Sequence, residues 1–187
     1  MKIREEHALG HLGSAIGKGL LAGLAGTAAI TLSQMIEMKI TKREPSDAPV
    51  KVIGQVANVQ PTSEESKAKV NQEVHWAYGT AWGVTRGLIA LTGLKGWKAG
   101  LVHFAAIWTT EIVMLPALNA APSPKEEDPK TIAIDAFHHA VYATAAGLAY
   151  DALDMGSRRQ RKFDALVDAL KHSSLLKKIK YYKKAAL

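Results

Sequence analysis

The chain contains no cysteine. Disulfides and thiolate metal sites are therefore excluded, and the redox compartment is left open. Also missing are a nucleophile triad, a phosphate loop and a metalloprotease signature. Glycine pairs such as Gly10-His11-Leu12-Gly13 lack the strand–turn–helix context that phosphate binding needs. No cleavable leader is evident, because Met1 to Lys18 mixes charges and glycines without an apolar core. High mean hydropathy is absent too: the value is −0.03, low for a membrane protein. With 187 residues, one domain is expected. The formal charge of +7 permits an anionic partner, either nucleic acid or lipid.

The low average conceals a segregation, since apolar runs alternate with charged stretches. Gly19 to Ile36 carries no charged residue. Spanning ~30 Å of hydrocarbon takes about 20 helical residues, so this run is just long enough. Three more apolar stretches follow. Val74 to Leu94 is broken by His75 and Arg86, Ala99 to Leu118 by His103 and Glu111, and Ile132 to Leu153 by Asp135, His138, His139 and Asp151. The expected architecture is all-α: a four-helix transmembrane bundle with spans near 19–38, 70–94, 97–118 and 132–154. A leader over 1–18 precedes the membrane domain of 19–156, and a basic amphipathic C-terminal helix over 157–187 follows it.

The chain also echoes itself, and such repeats are informative. His75, Tyr78, Thr80 and Gly83 return in the same order and spacing as His139, Tyr142, Thr144 and Gly147. Gly23-Leu24 with Ala28-Ala29-Ile30 returns as Gly100-Leu101 with Ala105-Ala106-Ile107. Two tandem helical hairpins are expected, with one orientation and a two-fold axis along the membrane normal. Small residues recur every fourth position at Gly19 and Gly23, at Gly79, Gly83 and Gly87, and at Ala143 and Gly147. Such spacing lets helix backbones approach closely in lipid. The equivalence of Gly83 and Gly147 suggests that the second and fourth spans meet near the axis.

Positive residues in short loops mark the cytoplasmic side. The tail carries Arg158, Arg159, Lys177, Lys178, Lys180, Lys183 and Lys184, the middle turn Lys95 and Lys98, and the leader Lys2, Arg4 and Lys18. Four spans with both termini on the cytoplasmic side satisfy this pattern. The tail reads as a topogenic anchor, or as a contact for anionic lipid or a cytoplasmic partner. Lipid and protein are preferred to nucleic acid because the tail directly follows a span.

These residues resemble the YagU-like family of poorly characterised bacterial inner-membrane proteins. The likeness rests on a Gly-x-x-x-Gly first helix ending in Glu37 and a Lys42-Arg43-Glu44-Pro45 stretch. It continues with a helix carrying His75 and Tyr78-Gly79, the turn from Gly96 to Leu101, Pro116 and the His138-His139 helix. The resemblance implies an inner-membrane four-helix protein and a suggested tie to survival at acid pH; no assigned reaction comes with it.

Ionisable groups within a membrane are functional candidates by default. At about 1.5 Å rise per residue, Glu111, His138 and His139 fall about 10 Å below the outer surface. Gln34 takes the place of Glu111 in the first hairpin. Glu111 with His139 reads first as a register-fixing pair. The second reading is a proton site of Glu111, His138, His139 and His75, continued by Arg86 and His103. In the third, His75 and His139 ligate haem or a metal. Arg86 is expected to pair with Asp151. The leading functional expectation is a non-enzymatic scaffold or accessory subunit that forms homo-oligomers or joins a larger membrane complex. A small proton-coupled transporter or channel and a haem- or metal-binding subunit are the alternatives. No cofactor is expected under the leading reading.

Overall fold

The computed structural model describes residues 2–58 and 61–171. Those residues are all-helical, with five helices and no strand. They are α1 (Lys2–Thr41), α2 (Ala48–Ala57), α3 (Glu64–Leu91), α4 (Gly96–Ala117) and α5 (Pro129–Lys171). Two compact units result, residues 1–151 and 152–187. Of the second unit, the described part is the continuation of α5, with Ser157 Oγ donating to Leu153 O and Gln160 to Asp164. The fourth apolar stretch and the start of the tail therefore share one helix. No separate C-terminal helix begins at 157, because no helix-breaking residue lies between Leu153 and Lys171 apart from Gly156. Residues 2–18 likewise extend α1 and are not a detached leader.

Local chemistry sets the ends. Ser63 Oγ accepts from the Ser66 amide, and Glu64 and Glu65 occupy the first turn of α3, where acidic groups meet unpaired N–H donors. Pro49 opens α2, and Asn58 closes it in the left-handed conformation. Between α3 and α4, Gly93 turns the chain at a φ of 91°. Asn71 of α3 ties down α2 by donating to Ser46 O and accepting from Val50 N.

The central seam is α1 against α3, the most extensively packed pair. Its partners run in opposite directions along the two helices: Ala15 with Gly87, Gly19 with Gly83, Gly23 with Gly83 and Thr80, and Thr27 with Gly79. A Cβ on Gly83 would overlap Gly19 O and the Gly23 backbone, and one on Gly87 would overlap Ala15 O. Backbone therefore lies on backbone, as small residues permit. This corrects the expected axis. Gly83 packs on the first span, whereas at Gly147 the nearest contact for a Cβ is Arg86 Nε at 3.9 Å. The α1–α3 seam takes up the glycine face of α3, so no such face is left for the fourth span.

Helix α5 runs antiparallel to α1, with Ser33 meeting His138 and Gly26 meeting the Tyr142 ring. It runs parallel to α3, with Gly79 meeting Tyr142 and Arg86 meeting Asp151. Ile30, Ile107, Tyr142 and Ala146 form a small apolar cluster with Trp82 against it, so α1, α3, α4 and α5 meet there. Two helices, from Ala8 to Thr41 and from Gly96 to Ala117, are long and apolar enough to cross a membrane.

Candidate functional site

The interior mixes small apolar side chains with large polar ones. The largest fully buried side chains are Arg86, His103, His138 and Thr27. His139 is 6% exposed and belongs with them. They lie along the bundle in three groups.

The middle group lies beside a cavity of about 40 Å³ lined by His75, Tyr78, Glu111, His139 and Tyr142 among others. His139 Nε2 and Glu111 Oε2 are in direct contact. Its Nδ1 lies 2.9 Å from Asp135 O, one turn earlier on α5, and 3.5 Å from Asp135 Oδ2. A carbonyl only accepts, so Nδ1 carries the hydrogen. The bond between Nε2 and the Glu111 carboxylate then holds one proton, carried by either partner. Asp135 is fixed in turn by Trp108 Nε1, which donates at 3.1 Å.

His75 approaches the same cavity from α3. Its Nε2 lies 2.9 Å from Thr31 Oγ1. The Thr31 hydroxyl donates its one hydrogen to Thr27 O at 2.7 Å. It must therefore accept from His75, which places the hydrogen on Nε2 and leaves the lone pair on Nδ1. Tyr142 donates to Gly79 O at 2.6 Å across the wall of the cavity. Gly79 makes room for the Thr27 side chain, and Gly26 for the Tyr142 ring.

The second group lies at the α3–α4 turn end of the bundle. Arg86 NH2 donates to Asp151 Oδ1 at 2.7 Å, and the guanidinium carbon stands 4.6 Å from the Tyr150 ring centroid. His103 Nε2 bonds Trp82 O at 3.0 Å, and its ring tilts against Tyr142. The third group closes the opposite end. His138 Nδ1 bonds Ser33 Oγ at 2.8 Å, and its Nε2 lies 3.7 Å from Glu37. Glu37 is clamped by Arg43 NH2 at 2.8 Å and by the Thr41 hydroxyl at 2.8 Å.

Of the residues singled out in the sequence, the fold joins Glu111, His139 and His75 at one cavity, and Arg86 to Asp151. It separates His138, which turns to Ser33 and Glu37 of α1 and does not share the proton pair: adjacent residues on a helix point about 100° apart. Gln34 is half-buried on α1 and takes no part in these hydrogen bonds, so it does not stand in for Glu111. Arg159 is exposed; the side chain of Arg158 and all of Lys177, Lys178, Lys180, Lys183 and Lys184 lie outside the described residues. Thr31, Ser33, Asp135 and Trp108 join the site without having been selected. Only Asp135 had a legible signal, its one-turn spacing from His139. An open groove of about 530 Å³ between α2 and the start of α3 is larger, but it is lined by Lys51, Lys67, Gln55 and Asn58 without an acid. Glu111, His75 and His139 gather at the small cavity.

What the fold and site define is a helical bundle with many exposed apolar side chains and a Glu–His–His cluster beside its central cavity. The chain matches no family model, no curated protein and no solved structure.

Proposed function

We propose that this is an integral membrane protein crossing the bilayer with α1, α3, α4 and the first part of α5, and serving as a non-enzymatic scaffold or accessory subunit of a membrane assembly. The observation that carries the reading is the inversion of polarity. Leu20, Leu21, Leu24, Leu32, Met35 and Ile36 of α1 are exposed, as are Leu101, Val102 and Val113 of α4 and Phe137 and Leu148 of α5. The interior meanwhile holds arginine and histidine. In water the exposed apolar faces cost free energy; in lipid they do not, and the bundle interior is where ionisable groups are sheltered from hydrocarbon. The core helix of a water-soluble fold is mostly buried, whereas only 33% of the apolar window of α1 and 17% of that of α4 are. Helices α3 and α5 are less apolar because they carry Arg86, His75, His138 and His139, of which Arg86, His138 and His139 are buried.

The arrangement agrees with what the YagU-like resemblance implies, and membership of that group belongs to the proposal. So do an inner-membrane location, cytoplasmic termini and contact of the basic tail with anionic lipid. The test is fractionation: the protein stays with membranes through an alkaline wash and enters solution only with detergent. Recovery in a detergent-free supernatant would sink the reading.

A second reading, proton-coupled transport, is favoured by the single proton held between His139 and Glu111. Proton flux in liposomes should then fall on Glu111→Gln; unchanged flux, or none in the parent protein, removes it.

A further inference from the structure

We infer that His75, Glu111 and His139 form a binding site for a divalent first-row transition ion of the zinc class. This deepens the proposed membrane subunit by naming the ligand of its central cavity, and it rests on that reading.

The argument begins with the lone pairs. A ring nitrogen ligates a metal only through its unprotonated face, and the other nitrogen is commonly held by a hydrogen bond that sets the tautomer. His75 satisfies this as it stands, and His139 does once the ion displaces the proton its Nε2 shares with Glu111. His139 is anchored through Nδ1 on Asp135 O, which turns Nε2 to Glu111. His75 is anchored through Nε2 on Thr31 Oγ1, itself oriented by its bond to Thr27 O. Two imidazole lone pairs and one carboxylate, from α3, α5 and α4, therefore belong to side chains that line a single cavity.

Size agrees. The cavity of about 40 Å³ has room for a small ion and a water. Donor atoms of Glu111, Asp135 and His139 all lie within 4.8 Å of one another. Bonds of about 2.0–2.2 Å to nitrogen and oxygen require the His139–Glu111 contact to open and the His75 ring, which lines the same cavity, to close on the ion. Two histidines and one carboxylate suit zinc and its neighbours and leave one position open. The Tyr78 hydroxyl, which is buried without a hydrogen-bond partner, lines the same cavity and is available to a water at that position. Asp135 serves as the carboxylate behind His139, steadied by Trp108.

The experiment uses the full chain in detergent micelles and Co²⁺ as the probe. The expected result is one equivalent bound per chain, with the visible band of tetrahedral cobalt and displacement by Zn²⁺. His75→Ala and Glu111→Gln abolish the band. Thr31→Val keeps every ligand but frees the His75 ring, so affinity falls about 10–100-fold. That variant and the parent spectrum remain decisive if a ligand variant fails to fold. The inference is overturned if helical parent protein binds no stoichiometric cobalt, or if Thr31→Val binds as well as the parent. It is equally overturned if His75→Ala/His139→Ala retains the band, since binding would then lie at His7, His11 or His172. Protein that resists the alkaline wash yet takes up no cobalt defeats the site alone; protein released by the wash defeats the membrane reading, whatever it binds.

Discussion

Arg86 shows how far one side chain depends on its partner. It is 0% exposed, while Asp151 is 31% exposed. Removing the acid takes away the carboxylate bonded to the buried guanidinium, and breaking a buried pair costs about 3–5 kcal/mol. The partial exposure of Asp151 puts Asp151→Asn at the lower end, about 3 kcal/mol, read as a lower melting temperature in detergent. Arg86→Met with Asp151→Leu should recover most of the loss, because two apolar groups replace the pair without orphaning a charge. The pairing itself was legible, since an arginine that deep must meet an acid and Asp151 was the one within reach. What the residue string did not carry was the pairing of Thr31 with His75 and of Ser33 with His138. Hydroxyls recur throughout α1, and only the antiparallel docking of α1 on α3 and α5 selects these two.

At the scale of the helix, glycines divide into two kinds. Gly19, Gly23, Gly83 and Gly87 lie where a Cβ would strike backbone, whereas Gly10, Gly13, Gly17 and Gly156 have nothing within 4 Å. Gly83→Ala should therefore separate α1 from α3 and destabilise the protein strongly, as overpacking of about 1–3 kcal/mol or more. Gly10→Ala should stabilise or leave it unchanged, since alanine is the better helix former by about 1 kcal/mol. Gly147→Ala meets only the 3.9 Å contact and should be tolerated. Thermal melts of the three variants check this. Equal losses at Gly10 and Gly83 would contradict the seam. The four-residue glycine spacing was visible in the sequence, but its partner was not: the same small-residue face serves any neighbour, and shape alone chose α1.

For the whole molecule, the lack of cysteine makes a topology test simple, because single introduced thiols label against no background. Under the proposed topology, Lys125→Cys in the acidic loop reacts with an impermeant reagent in intact cells, and Lys95→Cys in the basic turn reacts only after permeabilisation. The reverse pattern would invert the protein, and labelling of both would remove the bilayer. The chain by itself determined that the structure is helical, where its apolar stretches lie and which ionisable groups sit within them, because composition and spacing act locally. It also suggested pairing His75 with His139, which line one cavity but are anchored through different ring nitrogens. Tertiary structure decided the rest: that the polar leader joins α1 and the tail joins α5, that α1 rather than the fourth span covers the α3 glycines, and that His138 turns away while Asp135 turns in. The physical reason is that side-chain direction follows from the phase of a helix against its neighbours. That phase is set by which backbones can touch, a property of pairs of segments and not of either one alone.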